Sequence, residues 1–266
     1  MAGSGRRGVG VDGHLGPEAI ADLAVLAEAC GYDNFWINVN AREENAVRAF
    51  ELSAKRTKAM EIAIGVFPLD RYTPEQIAQD VKAAGLSDPR FIFGVGAGRT
   101  PSGRLGVDRR GVAALREASP KSRVAIGGYG PQVLGLAGEI ADVVNLNWMT
   151  PSGLAWATET IQEGARRAGR PMPALYLYHR VAQGPDAATI LAEEVVKYRT
   201  SASQMRHQAV MGNPPWVGVA AETRADIEAQ LAPYRGAATL VLKPKPPNRA
   251  DLPEWRRLIE FFAPSG

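Results

Sequence analysis

The stretch Gly127-Gly128-Tyr129-Gly130-Pro131 places three glycines in four residues, between the apolar run Val124-Ala125-Ile126 and a helical pattern from Gln132 to Glu139. Glycines permit a tight turn and let another molecule approach the main chain closely. Proline suits the first position of a helix, where its missing N–H would have no partner anyway. The free amides at such a helix start form a site for a phosphate, although the same residues also serve as a plain strand-to-helix turn. Near the N-terminus, His14 is a candidate general acid or base, with Asp12 two residues before it as a candidate orienting group. A loop histidine bonded to backbone is the competing reading. Arg71 and Arg99 are candidates to face an anion, and His179 depends on strand register for its facing. His14, His179 and His207 are the three histidines present, and none pairs at a metal-ligand spacing. No nucleophile elbow of the GxSxG type occurs, and the single Cys30 reads as a structural side chain of an amphipathic helix.

Strands and helices alternate around these residues. Strand patterns fall at Gly8–Val11, Phe35–Val39, Met60–Val66, Phe91–Gly96, Val124–Ile126, Asp142–Asn147, Ala174–Val181 and Ala238–Leu242. Helix patterns begin at Pro17, Glu43, Pro74, about Val112, Pro131, Pro151, Ala187, Arg224 and Trp255, several of them opened by proline. Ser201–Trp216 has no clear period and is expected to be a mobile loop. Eight strands alternating with helices over about 250 residues predict a (β/α)₈ TIM barrel. A doubly wound sheet would carry its glycine fingerprint in the first strand-to-helix turn, where Asp12-Gly13-His14-Leu15-Gly16 stands instead. One domain over 1–266 is expected, with 1–7 as a flexible tail. A barrel does its chemistry at the C-terminal strand ends, which selects Asp12, His14, Asn38, Asn40, Phe67, Asp70, Arg71, Ala97–Thr100, Gly128–Gly130, Asn147, Trp148, His179, Arg180, Lys243 and Lys245.

Composition narrows the function classes. The 266 residues include 31 basic and 28 acidic side chains, and a net charge of +3 is too slight to suggest nucleic acid. Hydrophobic content of 45% with 22% charged residues is ordinary for a globular protein. The N-terminus lacks the apolar core of a signal peptide, and no run of about 18 apolar residues suggests a membrane span. A cytoplasmic protein acting on a small molecule is the expectation.

Five ordered motifs carry a resemblance. Gly31-Tyr32-Asp33-Asn34-Phe35-Trp36, Ile64 to Pro74, Arg90 to Gly98, Ile126 to Pro131 with Ala137 to Pro151, and Glu163 to Arg170 resemble the luciferase-like monooxygenase superfamily. The resemblance implies a (β/α)₈ barrel that binds FMN or the deazaflavin coenzyme F420 and transfers a hydride at the ring. By position it implies that Gly127, Gly128, Tyr129, Gly130 and Pro131 hold the cofactor phosphate. It likewise puts Gly65, Val66 and Phe67 under the ring, with a non-prolyl cis peptide at Gly65-Val66. Gly96, Ala97 and Gly98 would lie along the ring or its side chain, and the Ser201–Trp216 segment would cover the substrate. Homodimers are common among such relatives.

The chain also departs from its relatives. Several carry an Asp-His pair after the second strand, where this sequence has Asn38-Val39-Asn40, so His14 and Asp12 become the catalytic candidates. The segment after the fourth strand is reduced. A non-catalytic cofactor-binding relative, or a subunit of a hetero-oligomer, is therefore the alternative to an oxidoreductase. A phosphosugar-type barrel enzyme using Lys243 is a third option.

Overall fold

The computed structural model describes residues 6–41, 44–100, 102–199 and 202–264. The expected N-terminal tail and the start expected for the second helix fall largely outside them. Strands β1 (Arg7–Asp12), β2 (Asn34–Asn38), β3 (Glu61–Pro68), β4 (Phe91–Gly96), β5 (Arg123–Gly127), β6 (Val143–Asn147), β7 (Ala174–Gln183), β8 (Val219–Ala221) and β9 (Thr239–Pro244) form one parallel sheet. The order runs β6-β5-β4-β3-β2-β1-β9-β7, and pairing of β6 with β7 closes an eight-stranded barrel. β7 is long enough to pair β9 on one edge and, beyond β6, the short β8 on the other. Sequence pattern placed the eighth strand at what is β9; three residues of β8 are too few to show an alternation.

Helices α1 (Pro17–Ala29), α2 (Ala46–Arg56), α3 (Pro74–Ala83), α4 (Arg104–Ala118), α5 (Pro131–Ile140), α6 (Pro151–Arg167), α7 (Ala187–Tyr198), α8 (Ala202–Val210), α9 (Arg224–Leu231) and α10 (Leu252–Phe261) follow in the chain. Local chemistry sets several of their starts. Thr73 and Gln76 form a reciprocal capping box ahead of Pro74, and the Thr150 hydroxyl accepts from the Gly153 amide ahead of Pro151. α4 begins earlier than its apolar pattern suggests, because Gly106 and Gly111 weaken the helical signal. The segment expected as a mobile loop contains α8. Its period was invisible because the buried face is polar, His207 and Gln208, while Met205 and Val210 are exposed. Among the described residues no helix is long and apolar enough to cross a membrane.

Two packed regions hold the barrel. The large one lies between strands and helices and includes Val9, Val11, Ile20, Leu23, Phe50, Ile64, Val95 and Trp255. The smaller one fills the barrel interior with Trp36, Ala63, Ile92, Ala125, Val143, Tyr176, Tyr178 and Val241. Because side chains alternate along a strand, residues two positions further on occupy the next interior layer, at the C-terminal mouth. That layer reads Asp12, Asn38, Gly65, Gly94, Gly127, Asn145, Arg180 and Lys243.

Candidate functional site

The mouth layer divides into two arcs. β3, β4 and β5 contribute only glycines to it, and the adjoining Gly96 and Gly128 continue the bare surface. A Cβ on Gly65 would stand 2.7 Å from Asn145 Nδ2, one on Gly94 2.6 Å from the Ile64 carbonyl, and one on Gly127 2.8 Å from Val66 Cγ1. Main chain thus replaces side chain where β3, β4 and β5 approach, and the Val66 side chain floors the space. The Gly65–Val66 peptide is cis, as the resemblance implied, and the β3–β4 register shifts between Ile64 and Phe67.

Above this arc lies a cleft of about 270 Å³. It takes in Gly65, Val66, Gly96, Ala97, Gly98, Gly127, Gly128, Tyr129 and Gly130, which are most of the residues selected by resemblance. Pro131 lines a second space of about 730 Å³, which shares Arg104, Tyr129, Gly130 and Val133 with the first. Phe67 is the exception among them. The register shift between Ile64 and Phe67 breaks the alternation and turns Phe67 outward, where its ring packs against Tyr72 at 5.4 Å, and Pro68 lines the cleft instead. At the join of the two spaces, Gly130 precedes α5 with no side-chain cap, and Leu134 donates to the Gly130 carbonyl at 2.9 Å. The Gln132 and Val133 amides of the first turn have no intrahelical acceptor. The loop is therefore open to a ligand at the same mouth as the other strand tips.

The opposite arc is filled by charge. Lys243 Nζ lies 2.7 Å from Asp12 Oδ1, and both side chains are buried. Burial alone would raise the Asp12 carboxyl; Lys243, joined by Lys245 and Arg249, outweighs it and holds Asp12 well below the carboxylate range. With its amide oxygen turned to Lys243, Asn38 donates from Nδ2 to the Gly65 carbonyl at 2.7 Å. Lys245 and Arg249 both pair with Glu194 on α7, at 2.5 and 2.7 Å. Burial, with Lys243 and Arg180 adding to it, pulls Lys245 down to about 7 against the pull of Glu194. Arg180 donates to Asn147 Oδ1 and stacks 3.6 Å from the Trp148 ring centroid. The Tyr178 hydroxyl, one layer down, has no partner.

The structure does not bring His14 and Asp12 together as a pair. Asp12 is committed to Lys243, while His14 is exposed and its Nε2 lies 3.2 Å from the Arg249 carbonyl. The backbone-bonded histidine foreseen as the competing reading is what is found. Arg71 and Arg99 are exposed and line neither space; Arg104 and Arg206 line them instead. His179 faces the outer core, stacked 4.6 Å from Tyr234, and burial lowers it to about 4. His207, on α8, sets Nε2 between the Asn147 and Trp148 carbonyls at 3.2 and 3.1 Å and stacks on Tyr129. Sequence reading also passed over Asp108, which is fully buried on α4 and lines the smaller cleft. Its signal was present: residues 104, 108, 111 and 115 follow helical spacing on one face, and a carboxylate on a buried stripe is out of place.

Comparison with known proteins agrees with this architecture. The family described as luciferase-like monooxygenase matches residues 4–118 and 102–241. A 5,10-methylenetetrahydromethanopterin reductase of Methanolobus tindarius is 24% identical over 250 residues, covering 80% of this chain and 75% of that protein. The structure of an F420-dependent secondary alcohol dehydrogenase in complex with an F420-acetone adduct superposes with a TM-score of 0.75. It is 18% identical, over 97% of both chains. A type II Baeyer-Villiger monooxygenase from Pseudomonas putida, the oxygenating constituent of 3,6-diketocamphane monooxygenase in complex with FMN, gives a TM-score of 0.70. It is 15% identical, over 98% of this chain and 97% of that one. At such identities the structural likeness carries the fold.

Proposed function

The chain belongs to the luciferase-like monooxygenase family, and we propose that it is an oxidoreductase using coenzyme F420 or FMN on a small organic substrate. The observation that carries this reading is the glycine arc: a shallow cleft walled by main chain, leading without interruption to an uncapped helix start. A flat ring fits against Gly65, Gly96 and Gly127, where any Cβ on the strands would intrude. The anionic tail would meet the Gln132 and Val133 amides at the α5 N-terminus, where the helix dipole favours negative charge. Arg104 and Arg206, lining the larger space beyond, would add to that attraction. This larger space favours F420, whose tail continues past its phosphate, over FMN, which ends there. When bound, either group supplies hydride transfer at its ring. His14, at the exposed rim of the same mouth, is the proposed proton donor or acceptor for the substrate, with Asp12 acting through Lys243 on the mouth's potential rather than on His14.

Fluorescence titration of the purified protein with F420 and with FMN tests the reading. Saturable binding of either, tighter for F420, is expected; binding of neither refutes it. Replacing His14 by Gln is expected to lower turnover at least tenfold while leaving cofactor affinity unchanged. A second reading, a cofactor-binding relative without turnover, is favoured by one observation. Every charged side chain of the opposite arc already has a protein partner, which leaves none free to act on a substrate. Binding without oxidation of simple alcohols or reduction of simple carbonyls would support it.

A further inference from the structure

One carboxyl beside the cleft has no structural employment. Asp108 is 0% exposed, and among the described residues neither of its oxygens has a hydrogen-bond partner. Arg104, one helical turn before it, spends its guanidinium on the Thr100 and Gly98 carbonyls at 2.7 and 3.2 Å. The Ala97 N–H lies near enough to favour the ionised form without closing a hydrogen bond. The Arg104 charge also pulls Asp108 toward the ionised form, but by less than burial pushes it the other way. Burial pushes Asp108 up to about 7, so near neutrality it is substantially the protonated acid.

A neutral carboxylic acid presents one donor and one acceptor side by side. Its complement is a group that offers an acceptor beside a donor, and an imide edge, N–H flanked by C=O, does so. Resting on the cofactor reading above, we infer that Asp108 binds the imide edge of the ring ligand, its O–H donating to a ring carbonyl and its C=O accepting from the ring N–H. The contact forms two hydrogen bonds and transfers nothing. Flavin and deazaflavin share this edge, so the pairing selects the ring class rather than one of the two cofactors. It also explains why a carboxyl is kept on a helix stripe that otherwise packs Gly111, Val112 and Leu115 against the barrel. A group left unpaired there costs stability, and the ligand supplies what the protein withholds.

The test uses FMN and N3-methyl-FMN, in which the ring donor is blocked, titrated into the wild type, Asp108→Leu and Asp108→Asn. The wild type is expected to prefer FMN by about tenfold. Asp108→Asn, which retains one donor and one acceptor, keeps that preference. Asp108→Leu loses it, and its ligand-free unfolding midpoint is unchanged or higher, because an unpaired carboxyl has been removed. A preference that persists in Asp108→Leu overturns the pairing alone and leaves the cofactor reading standing. Loss of the preference in Asp108→Asn, or failure of Asp108→Leu to fold, also overturns it, the latter by showing that the carboxyl holds the fold. Binding of F420 but not of FMN by the wild type overturns the pairing as a contact with the edge that both rings share, and binding of neither overturns the cofactor reading and the pairing with it.

Discussion

The two arcs of the barrel mouth solve opposite problems. On and just beyond β1, β7 and β9 the charges are answered within the chain: Asp12 by Lys243, and Lys245 and Arg249 by Glu194 of α7. On β3, β4 and β5 there is almost no side chain, and the one buried acid nearby, Asp108, is unanswered. In its charges the first arc is complete without a ligand, although among the described residues the Tyr178 hydroxyl and Arg180 Nε stay unpaired; the second is not. A binding surface is thus recognised less by what it contains than by what it leaves unsatisfied.

Breaking the complete arc should produce the largest effect. Lys243→Met strands the Asp12 carboxylate in the interior, and a loss of about 3–5 kcal/mol in unfolding free energy is expected. Adding Asp12→Leu to that variant should restore most of the loss, since an apolar pair replaces an ion pair with little penalty. Chemical denaturation of the three variants measures both. If the arcs are independent, F420 or FMN binding by the folded double variant stays within about threefold of the wild type.

The incomplete arc should respond with the opposite sign. Ligand-free Asp108→Asn is expected to be more stable than the wild type by about 1–3 kcal/mol at pH 8. The folded pKa of Asp108 lies above its ordinary value, so its ionisation disfavours the native state. The contribution is most favourable below about pH 4 and is lost progressively as pH rises to about 7. The advantage of Asp108→Asn should therefore be small at pH 4, widen to about pH 7 and stay level above it. A thermal-unfolding series across pH reads this directly; a difference independent of pH would show that Asp108 is not the titrating group.

A smaller effect is expected where the two spaces meet. Arg206→Ala removes an exposed cation from the larger space, and a two- to fivefold weaker affinity for F420 is expected, diminishing at high salt. FMN affinity should change less. Equal losses for the two cofactors would place the longer tail elsewhere.

Much of this comparison was legible in the sequence, but unevenly. Alternating strands and helices, prolines at helix starts and a glycine-rich turn after the fifth strand are local signals, and they located the barrel and its bare arc. Most of the residues chosen for the cofactor line one of the two spaces, because glycine types and strand ends are properties of single positions. The pairing of Asp12 with Lys243 was not readable: they lie at opposite ends of the chain, and only barrel closure brings β1 beside β9. The closeness of Asp12 and His14 in sequence misled for a local reason: β1 ends at Asp12, and the 3-10 turn Gly13–Leu15 carries His14 away from it. α8 escaped notice because its buried face is polar, which inverts the pattern by which surface helices are recognised.

The bare arc can be filled without touching the charged one. Gly127→Val sets a branched side chain against Val66, in the space assigned to the ring, and leaves Asp12, Lys243 and Glu194 as they are. Titration of this variant and the wild type with F420 and FMN, followed by fluorescence, is the most direct measurement. Saturable binding by the wild type and a loss of at least 100-fold in a still-folded Gly127→Val is the predicted result. Equal affinity in the two proteins would contradict it.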